Sequence, residues 1–263
     1  MLLKDKVIII HGAGGAVGSS VALAMARQGA QLFLAGRRLA SVAATAQRIR
    51  DAGGLAQTAE VDALDETAVE AHAEKVFASA GALDVCFNAT GIAQPGIQGT
   101  PLLELDADRF MQPVAAYLRS HFLTARAAAR HMLARKKGVI LMHTPEPARL
   151  GAPLVGGMGP AWAALEGLSR ALSAELAPSG IRSVVMRSTG LPETATIDTV
   201  FELHARALGV PRAHFQAMLE AMTHRRRSTS LAELGDAAVF LASDMAAAMT
   251  GTVANLTGGI IVD

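Results

Sequence analysis

The sequence predicts an α/β fold in which a doubly wound parallel sheet forms a single domain. Short apolar or β-branched runs alternate with helical segments from the first residues to the last. The 263 residues suit one large domain, and 51% of them are hydrophobic, which is enough for a sizeable core. Because successive strands are separated by helices, we expect right-handed crossovers and ligand binding at the carboxyl ends of the strands.

The predicted elements follow one another closely, and no linker, repeat or low-complexity segment interrupts them. Predicted strands occupy residues 7–10, 31–35, 55–61, 83–87, 139–143, 181–187 and 253–256. Predicted helices occupy residues 16–28, 39–52, 67–80, 106–135 and 161–176, and Pro113 is expected near the first turns of the fourth helix or at a kink in it. The Pro- and Gly-rich residues 144–159 indicate a loop. Residues 191–229 indicate one or two helices that form a lid over a substrate.

Composition and charge exclude several classes of protein. A formal net charge of +1 argues against a dedicated nucleic-acid or membrane-surface protein, and the basic run at residues 224–227 is short enough to be a solvated face. The lone cysteine, Cys86, permits no intramolecular disulfide, and no Cys/His grouping has the spacing of a metal site. The N-terminal residues lack the order of a signal peptide, and no apolar run reaches the ~20 residues of a membrane helix. We therefore expect a cytoplasmic protein without a metal.

A glycine-rich turn follows the first predicted strand and opens the first predicted helix. Residues 11–18 are His-Gly-Ala-Gly-Gly-Ala-Val-Gly. Glycines allow the backbone to approach a phosphate closely, and a helix N-terminus offers free N–H groups and a positive dipole end to a pyrophosphate. The motif predicts a dinucleotide site, although a tight turn without a ligand would have the same sequence signature.

This turn and several later segments resemble the short-chain dehydrogenase/reductase family. Gly12 and Gly18 match the family's Thr-Gly-x-x-x-Gly-x-Gly turn, whereas His11 replaces the Thr and Ala16 replaces the middle Gly. Residues 88–91, Asn-Ala-Thr-Gly, are similar to its Asn-Asn-Ala-Gly, and residues 122–128, 174–182 and 240–259 are similar to its later helices and its C-terminal signature.

The resemblance covers nearly the whole chain and implies a Rossmann-type fold with a nicotinamide dinucleotide cofactor. It also implies a homotetramer or homodimer that forms through the fourth and fifth helices. Asp62 stands where the family places an Asp near the adenine. The residues predicted to bind the cofactor are Gly12, Gly14, Gly15, Val17, Gly18, Arg37, Arg38, Asp62, Asn88, Ala89 and Gly91.

The end of the second strand predicts NADP(H) in preference to NAD(H). NAD sites usually place an acidic residue there to hold the ribose 2′-hydroxyl, but this chain has Gly36 followed by Arg37 and Arg38. A guanidinium group pairs with a 2′-phosphate, which a carboxylate would repel. The alternative is that both arginines are solvated at a helix start, where their charge opposes the helix dipole.

The family's usual catalytic residues are replaced in this alignment. The family uses a Tyr as proton donor, a Lys four residues later, a Ser that polarises the carbonyl, and an Asn on the fourth helix. Met158 falls at the Tyr position, Trp162 at the Lys, Pro145 at the Ser and Tyr117 at the Asn. Met and Pro donate no proton, and Trp carries no charge, so the usual mechanism is expected to be absent.

Three functions remain open on the sequence alone. The first is a carbonyl or enone reductase with a substitute proton donor, for which Tyr117, His143 and Thr144 are candidates because they are expected around the nicotinamide pocket. Structural roles, as helix packing for Tyr117 and a hydrogen-bonded strand end for His143, compete with that interpretation. The second is an inactive NADP(H)-binding sensor or partner protein with an apolar ligand. The third is a non-redox enzyme on the same fold, such as a lyase.

Overall fold

The computed structural model of the chain describes residues 1–262 and contains one seven-stranded, wholly parallel sheet in the order β3-β2-β1-β4-β5-β6-β7. The strands are β1 (Val7–His11), β2 (Gln31–Gly36), β3 (Leu55–Glu60), β4 (Val85–Asn88), β5 (Gly138–Pro145), β6 (Ile181–Ser188) and β7 (Thr252–Leu256). The helices are α1 (Ala16–Arg27), α2 (Leu39–Asp51), α3 (Glu66–Ala80), α4 (Ala107–Arg135), α5 (Met158–Leu176), α6 (Ala195–Leu208), α7 (Arg212–Met222) and α8 (Leu231–Ala242). The predicted doubly wound sheet is confirmed.

Helices cover both faces of the sheet and bury two cores. Every residue of β1 is buried, as expected for a central parallel strand. Even-numbered residues such as Ile8 and Ile10 pack with α1 and α8 on one face, and Ile9 packs with α3, α4 and α5 on the other. The strand order reverses between β1 and β4, which pair directly, so the switch point lies beside the glycine turn.

Most predicted boundaries lie within two residues of the observed ones, and the larger differences have a tertiary cause. β5 continues to Pro145 because it pairs with β6 as far as Ser188, so the predicted loop loses its first residues to the sheet. A short 3-10 helix, Glu146–Ala148, follows, and α5 begins at Met158, three residues before its predicted start. α4 runs through Pro113 and ends at Arg135.

The C-terminal third contains one element that was not predicted. α8 is capped by Ser230, whose side chain forms a reciprocal capping box with that of Glu233, and the helix packs against α1. The segment 191–229 forms two helices, α6 and α7, in agreement with its periodicity. Among residues 1–262, no helix is both long enough and apolar enough to cross a membrane.

Candidate active site

One cavity of about 550 Å³ lies at the carboxyl ends of the strands. The glycine turn after β1 and the ends of β2, β4, β5 and β6 form its walls, and α6 and α7 cover one end. Ten of the eleven residues predicted to bind a cofactor line it, namely Gly12, Gly14, Gly15, Val17, Arg37, Arg38, Asp62, Asn88, Ala89 and Gly91. The topology therefore brings together residues that are as much as 79 positions apart in sequence.

The glycine turn is packed so closely that side chains are excluded at Gly12 and Gly14. Gly12 has a φ of +74°, and a Cβ there would lie 2.7 Å from the carbonyl carbon of Ala89. A Cβ on Gly14 would lie 2.6 Å from the Cβ of Ser41 in α2. The turn thus presents bare backbone to the cavity at the start of α1, which fits a bound pyrophosphate.

Gly18 has a different role from the one predicted. It does not line the cavity. A Cβ on Gly18 would lie 2.4 Å from the carbonyl oxygen of Gly12 and 2.9 Å from the Cα of Ala13, so its glycine allows α1 to pack against the turn. Gly18 therefore supports the shape of the turn through packing.

Arg37 and Arg38 are exposed at the cavity rim beyond β2. Neither takes part in a salt bridge among the described residues, so both guanidinium groups are available to an anion. The Asp62 carboxylate accepts a hydrogen bond from the backbone N–H of Leu64 at 3.0 Å, which holds the loop after β3 against the same rim.

Asn88 fixes the next loop from inside the protein. Its side-chain amide donates to Thr124 Oγ1 of α4 at 3.1 Å, and its Oδ1 accepts from the Thr90 backbone N–H at 2.9 Å. These bonds tie the end of β4 to α4 and hold the backbone of Ala89 and Gly91 toward the cavity. The residue thereby shapes this part of the cavity wall.

An aromatic pair forms part of the cavity wall between α4 and α5. The rings of Tyr117 and Trp162 meet edge to face with centroids 6.3 Å apart. Burial raises the pKa of the Tyr117 hydroxyl to about 12, although the Ile92 backbone and the Trp162 indole partly offset that effect. Tyr117 is the chain's only tyrosine, and among residues 1–262 no lysine lines the cavity.

His143 also lines the cavity, at the end of β5. Its Nε2 lies 2.9 Å from Ser188 Oγ of the adjacent strand. Burial, and to a lesser extent His121, lowers the pKa of His143 to about 4. The imidazole is therefore neutral near pH 7, so it is not the cationic acid that the sequence-based prediction needed.

Thr144 and Met158 do not lie where the alignment predicted. Thr144 is fully buried and does not line the cavity, and its hydroxyl donates to Glu166 Oε1 at 3.1 Å. Met158 starts α5 and packs in the core below the cavity. The candidacy of Thr144 as a proton donor and the placement of Met158 in the pocket wall are both wrong. Pro145 and Trp162 do line the cavity.

Glu146 is a cavity residue that the sequence analysis missed. It follows β5 directly, and its Oε2 is inaccessible to solvent and has no hydrogen-bond partner among the described residues. Burial raises the pKa of the Glu146 carboxyl to about 7, and the backbone N–H groups of Glu146 and Gly190 only partly counteract that effect. An acidic residue beside two prolines in a loop after a buried strand was the available signal.

The far end of the cavity is apolar. Phe201 of α6 and Phe215 of α7 meet edge to face at 5.5 Å, and His204 stacks on Phe215 at 5.4 Å. His204 Nε2 lies 3.0 Å from Oε1 of Gln98, which supplies a polar group at this end. The arrangement offers an aromatic chamber with a few fixed polar groups, which is the usual composition of a small-molecule site.

Three comparisons agree with this architecture. A family model described as enoyl-(acyl carrier protein) reductase matches residues 12–260. The cis-4-hydroxycyclohexanecarboxylate dehydrogenase of Sinomonas cyclohexanicum is 29% identical over 255 residues, which cover 97% of this chain and 96% of that protein.

Solved structures are similar over the same extent. A gluconate 5-dehydrogenase from Burkholderia cenocepacia in complex with NADP and tartrate has a TM-score of 0.86 at 28% identity and covers 98% of this chain and 96% of its own. An NAD⁺-bound xylitol dehydrogenase has a TM-score of 0.91 at 22% identity and covers 98% and 100%, a likeness of fold alone.

Proposed function

Because the chain belongs to the short-chain dehydrogenase/reductase family, we propose that it is an NADP(H)-dependent oxidoreductase that reduces the carbonyl group or activated double bond of an apolar small molecule. One observation carries the proposal. A single cavity joins the bare glycine turn and the Arg37/Arg38 pair at one end to an aromatic chamber at the other. A dinucleotide and a second, apolar molecule would therefore meet within one cavity.

The cofactor half of the proposal depends on charge and on exposed backbone. The start of α1 would hold the pyrophosphate through free N–H groups, and the two arginines would pair with a 2′-phosphate. The reduced nicotinamide supplies a hydride when bound. The loop held by Asn88 would orient the adjoining ribose, and the lost family lysine makes this chain rely more heavily on those backbone contacts.

The substrate half depends on the lid segment, residues 191–229. Its cavity-facing side chains are mainly apolar, including Val200, Phe201 and Phe215, so they favour a substrate with an apolar body. The relative named for a hydroxycyclohexane carboxylate suggests an alicyclic alcohol or ketone as the first class to test.

Nucleotide binding tests the cofactor assignment directly. We would titrate the protein with NADPH and, separately, NADH, and repeat both titrations with the double variant Arg37→Ala/Arg38→Ala. The proposal expects micromolar NADPH binding that is much tighter than NADH binding. The double variant should lose affinity for NADPH by roughly tenfold to a hundredfold, as expected for lost charge-assisted contacts, and should bind NADH as before.

Turnover separates an enzyme from a sensor. NADPH oxidation with cyclohexanone or 2-cyclohexen-1-one would support a reductase. Tight NADPH binding with no turnover of any carbonyl or enone would favour the alternative, an inactive NADP(H)-binding sensor or partner protein. Absence of binding for both nucleotides would refute the proposal.

The assembly is proposed to be a homodimer or homotetramer. The alanines between Ala125 and Ala129 of α4 are mostly buried in the core of the chain, so the surface that favours assembly is Phe122 of α4, which is 42% exposed beside the half-buried Arg126. Light scattering at two protein concentrations tests this assignment, and a monomer at both would refute it.

A further inference from the structure

We propose that Glu146 is the proton donor of this site, a general acid that replaces the tyrosine used elsewhere in the family. The inference rests on the proposed reductase function. It names the group that delivers the proton to the substrate oxygen, one residue after Pro145, which stands at the family's serine position.

Glu146 lies at the edge of the sheet where ligands are expected to bind. In an open parallel sheet the ligands bind beyond the carboxyl ends of the strands. Glu146 is the first residue after β5, and its carboxyl group lies by the backbone of Gly190, just beyond β6. The arginine pair lies at the end of β2, on the other side of the switch point. A dinucleotide with its 2′-phosphate on those arginines would extend across β1 and β4 and place its other end beside Glu146.

One oxygen of the Glu146 carboxyl group is buried and unpaired in the described chain. Oε2 is shielded from solvent and has no hydrogen-bond partner in the described chain, which is unusual for a buried acid that serves only packing. Burial raises the pKa of the Glu146 carboxyl group to about 7, so much of it is protonated at neutral pH. A neutral carboxylic acid has an O–H that it can donate, and an acid with a pKa near the working pH is the most effective general acid.

The neighbouring titratable groups are less suitable. His143, on the same strand end, is neutral near pH 7 because burial lowers its pKa to about 4. Tyr117, facing the cavity from α4, holds its proton to a pKa of about 12. Arg187 of β6 is bonded to Glu166 of α5, which also accepts a hydrogen bond from Thr144, and neither charged residue lines the cavity.

The remaining groups are polar or distant. Residues 188–190, which begin with the last residue of β6, are Ser-Thr-Gly, and His204 of α6 is bonded to Gln98. Arg149, at the end of the same 3-10 helix, is exposed and takes part in no salt bridge among the described residues. No cation therefore pairs with the Glu146 carboxyl group to stabilise its ionised form.

The proposed step is balanced with the cofactor as the reductant. A hydride adds to the carbonyl carbon of the substrate, and the electron pair of the C=O π bond moves to oxygen. The O–H bond of Glu146 breaks and its proton goes to that oxygen, which gives the alcohol and leaves a Glu146 carboxylate. Water then returns a proton to the carboxylate before the next turnover.

The first test measures the carboxyl group without cofactor or substrate. Infrared difference spectra across a pH titration would follow the C=O band of a protonated carboxylic acid. We expect a band that disappears with a midpoint near pH 7 in the native protein and in the control Glu104→Gln, whose glutamate is exposed. The band should be absent in the nearly isosteric Glu146→Gln. Titration of the native band near pH 4 would overturn the proposal.

The second test measures the step itself. Single-turnover oxidation of bound NADPH with cyclohexanone should slow by 10²–10⁴-fold in Glu146→Gln, remain partly active in Glu146→Asp, and stay unchanged in Glu104→Gln. The native rate should decline above pH 7 as the acid loses its proton, and the residual rate of Glu146→Gln should not change with pH there. NADPH affinity should change by less than about twofold.

The outcomes separate the two proposals. A native protein that binds NADPH and reduces the probe, together with a Glu146→Gln variant of native rate and pH profile, would refute the role of Glu146 and leave the proposed function standing. A native protein that binds NADPH but reduces neither cyclohexanone nor the enone would refute the reductase function and the donor with it.

Discussion

The buried ion pair between Glu166 and Arg187 should be among the most sensitive positions of this protein. The two side chains are 7% and 6% exposed, and the guanidinium group binds the carboxylate with two parallel bonds, Nε to Oε1 at 2.8 Å and Nη2 to Oε2 at 2.6 Å. Thr144 adds a third bond to Oε1 at 3.1 Å. The cluster links α5 to the ends of β5 and β6. Its Thr144 directly precedes Pro145, which lines the cavity.

Replacement of Glu166 by Gln preserves the shape but leaves a buried guanidinium without a counter-charge. Removal of one partner of such a pair typically costs about 3–5 kcal/mol, because the remaining charge stays desolvated. A domain of this size has a total stability of only about 5–15 kcal/mol, so the loss would be a large part of it. Thr144→Val leaves the pair intact and removes one bond to a charged group, so we expect a loss of about 1–3 kcal/mol.

Urea denaturation at pH 7, followed by circular dichroism, would measure both losses as shifts of the midpoint at constant m value. The control Glu175→Gln, on the exposed side of the same helix, should change the free energy of unfolding by no more than about 0.5 kcal/mol. A Glu166→Gln loss below about 1 kcal/mol would refute the reasoning, since it would mean that the guanidinium group finds water or another partner. Equal losses for Thr144→Val and Glu166→Gln would also contradict it.

Three further predictions concern the cavity and the core. Gly18→Ala should destabilise the protein by about 1–3 kcal/mol in thermal denaturation, because its Cβ would meet the Gly12 backbone at 2.4 Å, whereas in Gly15→Ala the nearest contact is 3.4 Å and the loss should be smaller. A Gly18→Ala variant as stable as Gly15→Ala would contradict this packing argument. Glu146→Gln should be more stable than the native protein by an amount that grows from near zero at pH 4.5 to as much as about 3 kcal/mol at pH 8. In the native fold the Glu146 carboxyl group stays protonated up to a pKa of about 7, whereas in the unfolded chain it ionises at its ordinary pKa. Each unit of this pKa difference lowers the stability of the native protein by ~1.4 kcal/mol above pH 7. A stability difference that does not vary with pH would show that the carboxyl group is solvated. The Cys86 thiol, fully buried with a pKa raised to about 12, should react with a thiol reagent only after denaturation, and stoichiometric labelling of the native protein would disprove its burial.

The sequence by itself determined the features that depend on local patterns. The alternation of apolar runs with helical segments predicted all seven strands, because the periodicity of a strand or a helix depends only on the order of neighbouring residues. The placement of the glycine turn and of the Arg37/Arg38 pair could also be predicted. Both directly follow a strand, so their positions in the sequence place them at the carboxyl end of that strand. The extra helix α8 was missed although its capping box is local, at Ser230 and Glu233.

Only the tertiary structure decided which groups face the cavity and in what protonation state. Thr144 and Glu146 are two positions apart, yet the Thr144 side chain bonds to a buried ion pair and Glu146 lines the cavity. The pairing with β6 extends β5 to Pro145, two residues beyond the predicted end of the strand. Thr144 therefore belongs to the sheet, and Glu146 is the first residue after it. The low pKa of His143 and the high pKa of Glu146 have the same main cause, which is the loss of contact with water on burial. Desolvation depends on atoms distant in sequence, so no spacing of residues within one segment could have revealed it.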